Sequence, residues 1–115
     1  MSKAKRGEVW LVRFPFSDLA STKSRPALVL AVHGQDIIVM GIFSRIPATP
    51  LRKTWVNIED SHPAFKRTGL KKTSILKGEK IAVLHESVFQ RRLGHLAPDI
   101  LGRAEAALKT ALLIR

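Results

Sequence analysis

Arg25 stands directly before Pro26, and this pair is the first place where the chain could do chemistry. Proline biases the residue before it toward extended backbone. A guanidinium held that way at the mouth of a strand can grip a phosphate through two parallel hydrogen bonds and meet negative charge growing on it. An ion pair with Asp18 is its competing use. Ser44 follows an apolar run and opens a basic loop; its hydroxyl can donate to a phosphate oxygen or stabilise a turn. Glu79 is a single acid among Lys71, Lys72, Lys77 and Lys80. It can act as a general base beside a phosphate patch, or as an ion-pair partner for those lysines. Neighbouring cations lower a carboxyl pKa, which weakens it as a base at neutral pH. His33, His62, His85 and His95 stand at unrelated spacings, and there is no cysteine. Neither a metal site nor a bound cofactor is expected, and disulfide chemistry is excluded. No Gly-rich phosphate loop and no Ser-His-Asp spacing is present.

The charge gives these residues a context. In 115 residues, 20 Lys and Arg face 9 Asp and Glu, for a net charge of +11. The hydrophobic share is 45%, which fits one globular domain over 1–115 and argues against a disordered basic tail. The longest apolar run, 27–32, is too short to cross a membrane. The basic N-terminus has no apolar stretch behind it, so a cytoplasmic protein is expected. Nine of the cations lie in 45–80 against three acids, whereas the stretch from Ile81 onward is nearly balanced. Excess positive charge in loops fits a polyanion, nucleic acid foremost. Phe16 and Phe65 lie beside loops and are the aromatic residues placed to stack on a base.

The elements that must position these groups are short. Alternating or strongly apolar runs predict strands at 8–14, 27–32, 37–43, 53–58, 74–76 and 81–84, with polar loops at 17–24 and 44–52. Gly34-Gln35-Asp36 reads as a hairpin turn, and 86–89 as a single helical turn. Ile100, Leu101, Ala104, Ala107, Leu108, Ala111 and Leu112 recur at helical spacing, with Pro98 suited to the first turn. The pattern predicts a mainly β (α+β) domain: a small antiparallel barrel with a C-terminal amphipathic helix. The apolar side of that helix can pack on its own barrel or form a dimer seam.

RGEVW at 6–10 and SRPALVL at 24–30 resemble the opening of the MazF/PemK toxins of bacterial type II toxin–antitoxin systems. IVMGIFSRI at 38–46 looks like their third strand, and KGEKIAVLHES at 77–87 and RRLGHL at 91–96 like their later blocks. The resemblance implies an SH3-like barrel, a homodimer, and an endoribonuclease that cuts single-stranded mRNA without a metal. In that chemistry a 2′-hydroxyl attacks the adjacent phosphate. It also implies a cognate antitoxin whose acidic segment occupies the RNA groove. By this resemblance Arg25 and Glu79 are catalytic candidates and Lys77 a phosphate contact; Ser44, from its own hydroxyl, joins the catalytic candidates, and Lys23, Arg45, Arg52, Lys71 and Lys72, from the placement of charge, are also expected to contact RNA. The third strand departs from the family pattern. A threonine followed by a small residue is usual there, and the straight register puts Phe43 and Ser44 at those positions. A non-catalytic module of the same fold, binding nucleic acid or peptide, and a protein-directed toxin such as a gyrase poison are the other readings.

Overall fold

The computed structural model describes residues 3–14, 23–44 and 52–115. These contain the strands β1 (Glu8–Phe14), β2 (Lys23–His33), β3 (Asp36–Phe43), β4 (Trp55–Ile58), β5 (Ser74–His85) and β6 (Phe89–His95), then helix α1 (Pro98–Ala111). The strands form one antiparallel sheet in the order β4-β5-β3-β2-β1-β6. The mainly β domain with a C-terminal helix is therefore present. Arg45 and most of the two expected loops lie outside the described residues. Lys23 and Ser24, expected in a loop, belong to β2.

Two strand readings are corrected. Residues 74–76 and 81–84 are not separate strands but the ends of one, β5. Its pairing with β3 shifts register between Met40↔Ile81 and Ile42↔Leu76, so 77–80 bulge away from β3. Lys77 instead pairs with Trp55 of β4. The polar Lys-Gly-Glu-Lys run therefore marks a bulge within a strand. The second correction is β6, which was not expected at all. Its apolar positions are diluted by Gln90, Arg91 and Arg92, so its alternation is weak in the sequence.

Strand alternation sends side chains to two buried faces. On one, Val9, Leu28, Met40, Ile42 and Leu76 pack with Ile100, Ala104 and Ala107 of α1. On the other, Val12, Val29, Ile37 and Val39 gather around Trp10. The Trp10 ring meets Phe89 edge-on with centroids 5.9 Å apart. Helix α1 lies on β4 and β5 of its own sheet, so its buried stripe is not a dimer seam. Burying Ile100 there contributes about 2 kcal/mol. His62 ties the start of the helix down. Its Nδ1 accepts from the Ala64 N–H, so Nε2 carries the proton and donates to Asp99 Oδ2 at 2.9 Å. That hydrogen bond holds the Asp99 carboxyl below its ordinary range.

The RGEVW segment is structural. Arg6 donates to the Leu30 carbonyl at 2.8 Å and pairs with Glu105 of α1. Gly7 donates to the Val29 carbonyl and accepts from the Leu96 N–H, both at 2.9 Å. The Glu8 carboxylate accepts from the Lys5 N–H and Trp10 Nε1, and pairs with Arg92 of β6. The motif thus joins the N-terminus, β2, β6 and α1.

The sheet is not closed by hydrogen bonds, because its edges β4 and β6 do not pair. The segment between β4 and β5 bridges them. A 3-10 turn at Phe65–Thr68 packs on β6, and buried Thr68 locks it by donating to the Phe65 carbonyl and accepting from the Leu70 N–H. Gly69, at φ 74°, faces the Leu93 carbonyl, and Gly94 faces the Arg67 carbonyl. A methyl group on either would overlap backbone oxygen, so two main chains meet where neither can carry a side chain. Gly94→Ala is expected to cost about 1–3 kcal/mol through overpacking. Urea unfolding measures it, and wild-type stability in that variant would refute the backbone contact.

Candidate functional site

Residues of β1, β2, β3, β5 and β6, together with the bridging segment, line a cleft of about 420 Å³. Its apolar part is a row set by register. Pro26 of β2 faces Leu11 of β1, which faces Arg91 of β6. Ile42 and Leu93 complete that wall. Five cations surround it: Lys23 and Arg25 from β2, Lys71 and Lys72 from the bridging segment, and Arg91 from β6. Ser24, Ser44 and Ser74 supply hydroxyls. No carboxylate and no imidazole is among its described lining residues. Cations thus outnumber acids among the described lining residues, an arrangement that can hold an anion.

Of the expected site residues, Arg25, Ser44, Lys23, Lys71 and Lys72 are brought together here. Ser44 is exposed. Ser74 is buried, and its hydroxyl donates to the Lys72 carbonyl at 2.8 Å, holding the turn that presents Lys71 and Lys72. Arg91 is a cleft residue that sequence reasoning missed. Two register shifts in the β1–β6 pairing put Phe89 and Leu93 on opposite faces and break the alternation of β6, so no local signal marks Arg91.

Glu79, Arg52 and Lys77 lie in a second cluster that does not line this cleft. The Glu79 carboxylate accepts from Arg52 Nη1 at 2.9 Å, Thr54 Oγ1 at 2.8 Å and Trp55 Nε1 at 2.8 Å. Partial burial works against its ionisation, but the hydrogen bonds from Trp55, its own backbone, Thr54 and Arg52 outweigh this and lower its pKa. Arg52 also covers the Trp55 ring, 5.0 Å from the centroid. Lys77 Nζ sits 4.6 Å from the Trp55 centroid and 4.5 Å from that of Phe43. The Arg25 guanidinium lies 5.9 Å from the same Phe43 ring. Arg25 therefore belongs to both clusters, joined through Phe43. Of the two loop aromatics expected to stack on bases, Phe65 packs against the core and Phe16 lies outside the described residues.

No group of His, Asp and Glu among the described residues could hold a metal. No helix among them is long and apolar enough to cross a membrane.

Comparison with known proteins bears on both fold and family. Residues 5–112 match the family described as PemK-like, MazF-like toxins of type II toxin–antitoxin systems. No curated protein sequence matches the chain. Among solved structures it is similar to an endoribonuclease from a mycobacterial species, with 22% identity, TM-score 0.72, and coverage of 99% of this chain and 95% of that one. A mycobacterial endoribonuclease in complex with its cognate antitoxin aligns at 22% identity and TM-score 0.70, covering 96% and 95% of the two chains. MazF from Deinococcus radiodurans aligns at 20% identity and TM-score 0.71, covering 96% and 97%. At these identities the likeness is one of fold.

The second cluster has a pH signature. Because the folded pKa of Glu79 is lowered, its stabilising contribution is complete above the ordinary carboxylate range and is lost as pH falls through the lowered value. The Trp55 indole N–H resonance is expected to titrate with a midpoint below 4.5, the ordinary glutamate value. In Glu79→Gln it stays flat across that range. A midpoint at or above the ordinary value contradicts the hydrogen-bond network.

Proposed function

The chain belongs to the PemK-like, MazF-like toxins of type II toxin–antitoxin systems, and on that premise we propose that it is an endoribonuclease acting on single-stranded RNA. The observation that carries this is the cleft of five cations with no acid among its described lining residues. The scissile phosphate sits against Arg25. The RNA 2′-oxygen forms a bond to phosphorus as the bond to the 5′-oxygen breaks. The hydroxyl proton passes to solvent, and the leaving 5′-oxygen takes one up, giving a cyclic phosphate and a 5′-hydroxyl end. Arg25 supports the charge that grows on the non-bridging oxygens, and Ser44 donates to one of them. Lys23, Lys71, Lys72 and Arg91 hold flanking phosphates. Glu79, already engaged by three donors, serves to position Trp55 and Arg52.

An antitoxin with an acidic segment is the proposed inhibitor, since carboxylates compete with phosphates for the same cations. A similar mycobacterial endoribonuclease forms a complex with its cognate antitoxin, and MazF of Deinococcus radiodurans one with MazE, which supports this partner. A homodimer belongs to the same reading; sedimentation at micromolar protein then gives twice 12.8 kDa. One observation favours a second reading. The cleft's described lining offers no side chain of ordinary general-base type, which fits a module that binds RNA without cutting it.

One assay separates the two. Wild-type protein incubated with a long single-stranded RNA in chelator is expected to leave cyclic phosphate ends, and Arg25→Ala to be slower by about a hundredfold or more. Equal cleavage by Arg25→Ala overturns the role of Arg25. Salt-sensitive binding without any cleaved product supports the binding module instead.

A further inference from the structure

Beyond the cleft, cations and aromatic rings alternate across four strands. The order is Arg25 on β2, Phe43 on β3, Lys77 on β5 and Trp55 on β4. Sheet register produces it. Arg25 and Phe43 each lie two residues beyond the Ala27↔Gly41 pair. Phe43 faces Ile75, two residues from Lys77, and Lys77 faces Trp55 directly. Both rings are only partly buried. The Phe43 ring is held in place from below. Its Cε1 lies 2.9 Å from where a β-carbon on Gly41 would stand, so it rests on backbone that has no side chain. The Lys77 ammonium lies over both rings, and Arg52 at the far end is paired with the Glu79 carboxylate.

We propose that Phe43 and Trp55 form a stacking subsite for two unpaired bases of the RNA strand that leaves the Arg25 cleft, with Lys77 between them on the intervening phosphate. The proposal rests on the reading of the cleft as an RNA site. A strand whose phosphate is held by Arg25 has its next base at Phe43, the ring that Arg25 itself adjoins. Base–aromatic stacking is stronger than an exposed cation–π contact, so a base displaces the Lys77 ammonium from the ring. The freed ammonium then meets the phosphate. Phe43 thereby gives the end of β3 a binding role, at the position where the resemblance places a threonine in other family members. Stacking accepts any base, so this subsite adds affinity for unpaired strands without adding sequence preference.

The test uses a short, unstructured 2′-O-methyl oligonucleotide, which lacks the attacking hydroxyl and stays intact. Binding is measured across a range of salt concentrations, and thermal melting checks that each variant is folded. Phe43→Leu is expected to weaken binding about tenfold without changing the salt slope, and Phe43→Trp to restore it. Trp55→Leu weakens binding similarly and provides the same test if Phe43→Leu fails to fold. Lys77→Gln instead reduces the salt slope by about 0.7, the value of one single-strand phosphate contact. Wild-type affinity in a folded Phe43→Leu or Trp55→Leu overturns the subsite, while RNA cleavage by the wild type leaves the proposed function standing. Loss of affinity for an acidic peptide alone, with oligonucleotide binding unchanged, also overturns it. A wild-type protein with no affinity for RNA overturns both readings.

Discussion

A curved sheet whose edges stayed apart would leave β6 and the segment after β4 as separate surfaces. The contact between the 3-10 turn with Gly69 and the Leu93-Gly94 backbone prevents this. It substitutes close main-chain packing for a hydrogen-bonded seam, and it depends on the absence of two β-carbons. Lys71 and Lys72 follow Gly69 with only Leu70 between, and Arg91 lies two residues before Leu93. The same contact therefore sets the distance between the two charged walls of the cleft. Thr68 and the His62–Asp99 bond brace the bridging segment from within and from α1.

A cluster of cations with no acid among the described residues around it is unfavourable for the folded state by itself. The fold tolerates it by spending its acids elsewhere. Glu8 holds the N-terminus, Trp10 and Arg92; Glu105 holds Arg6; Asp99 holds His62; and Glu79 holds Arg52. None of these lines the cleft. Uneven placement of few acids among many bases turns a diffuse net charge into a local field. An anionic strand or an acidic peptide that enters the cleft relieves the repulsion, which couples binding to stability.

Much of the architecture was readable from local pattern. The apolar runs of β1, β2 and β3 and the helical spacing of α1 are strong signals, because burial on one or two faces leaves a period in the sequence. Two features escaped. The 77–80 run is polar because it bulges from β3, yet pairing with β4 keeps it within a strand. β6 is an edge strand with exposed arginines, so little burial stamps a pattern on it. The candidate site divided in the same way. Arg25 was singled out by its proline. Arg91 was hidden in β6, and Glu79 proved to be engaged with Arg52, Thr54 and Trp55 away from the cleft.

The sequence by itself determined the fold class, the terminal helix, the excess of positive charge before Ile81 and the resemblance to one toxin family. These depend on composition, period and short motifs, which are properties of neighbouring residues. Only the tertiary structure decided which cations share a cleft, that the segment after β4 meets β6 through glycine backbones, and that Phe43 lies between Arg25 and Lys77. Those are relations across strands far apart in the chain. Register and sheet curvature set them, and neither is written in any single stretch of sequence.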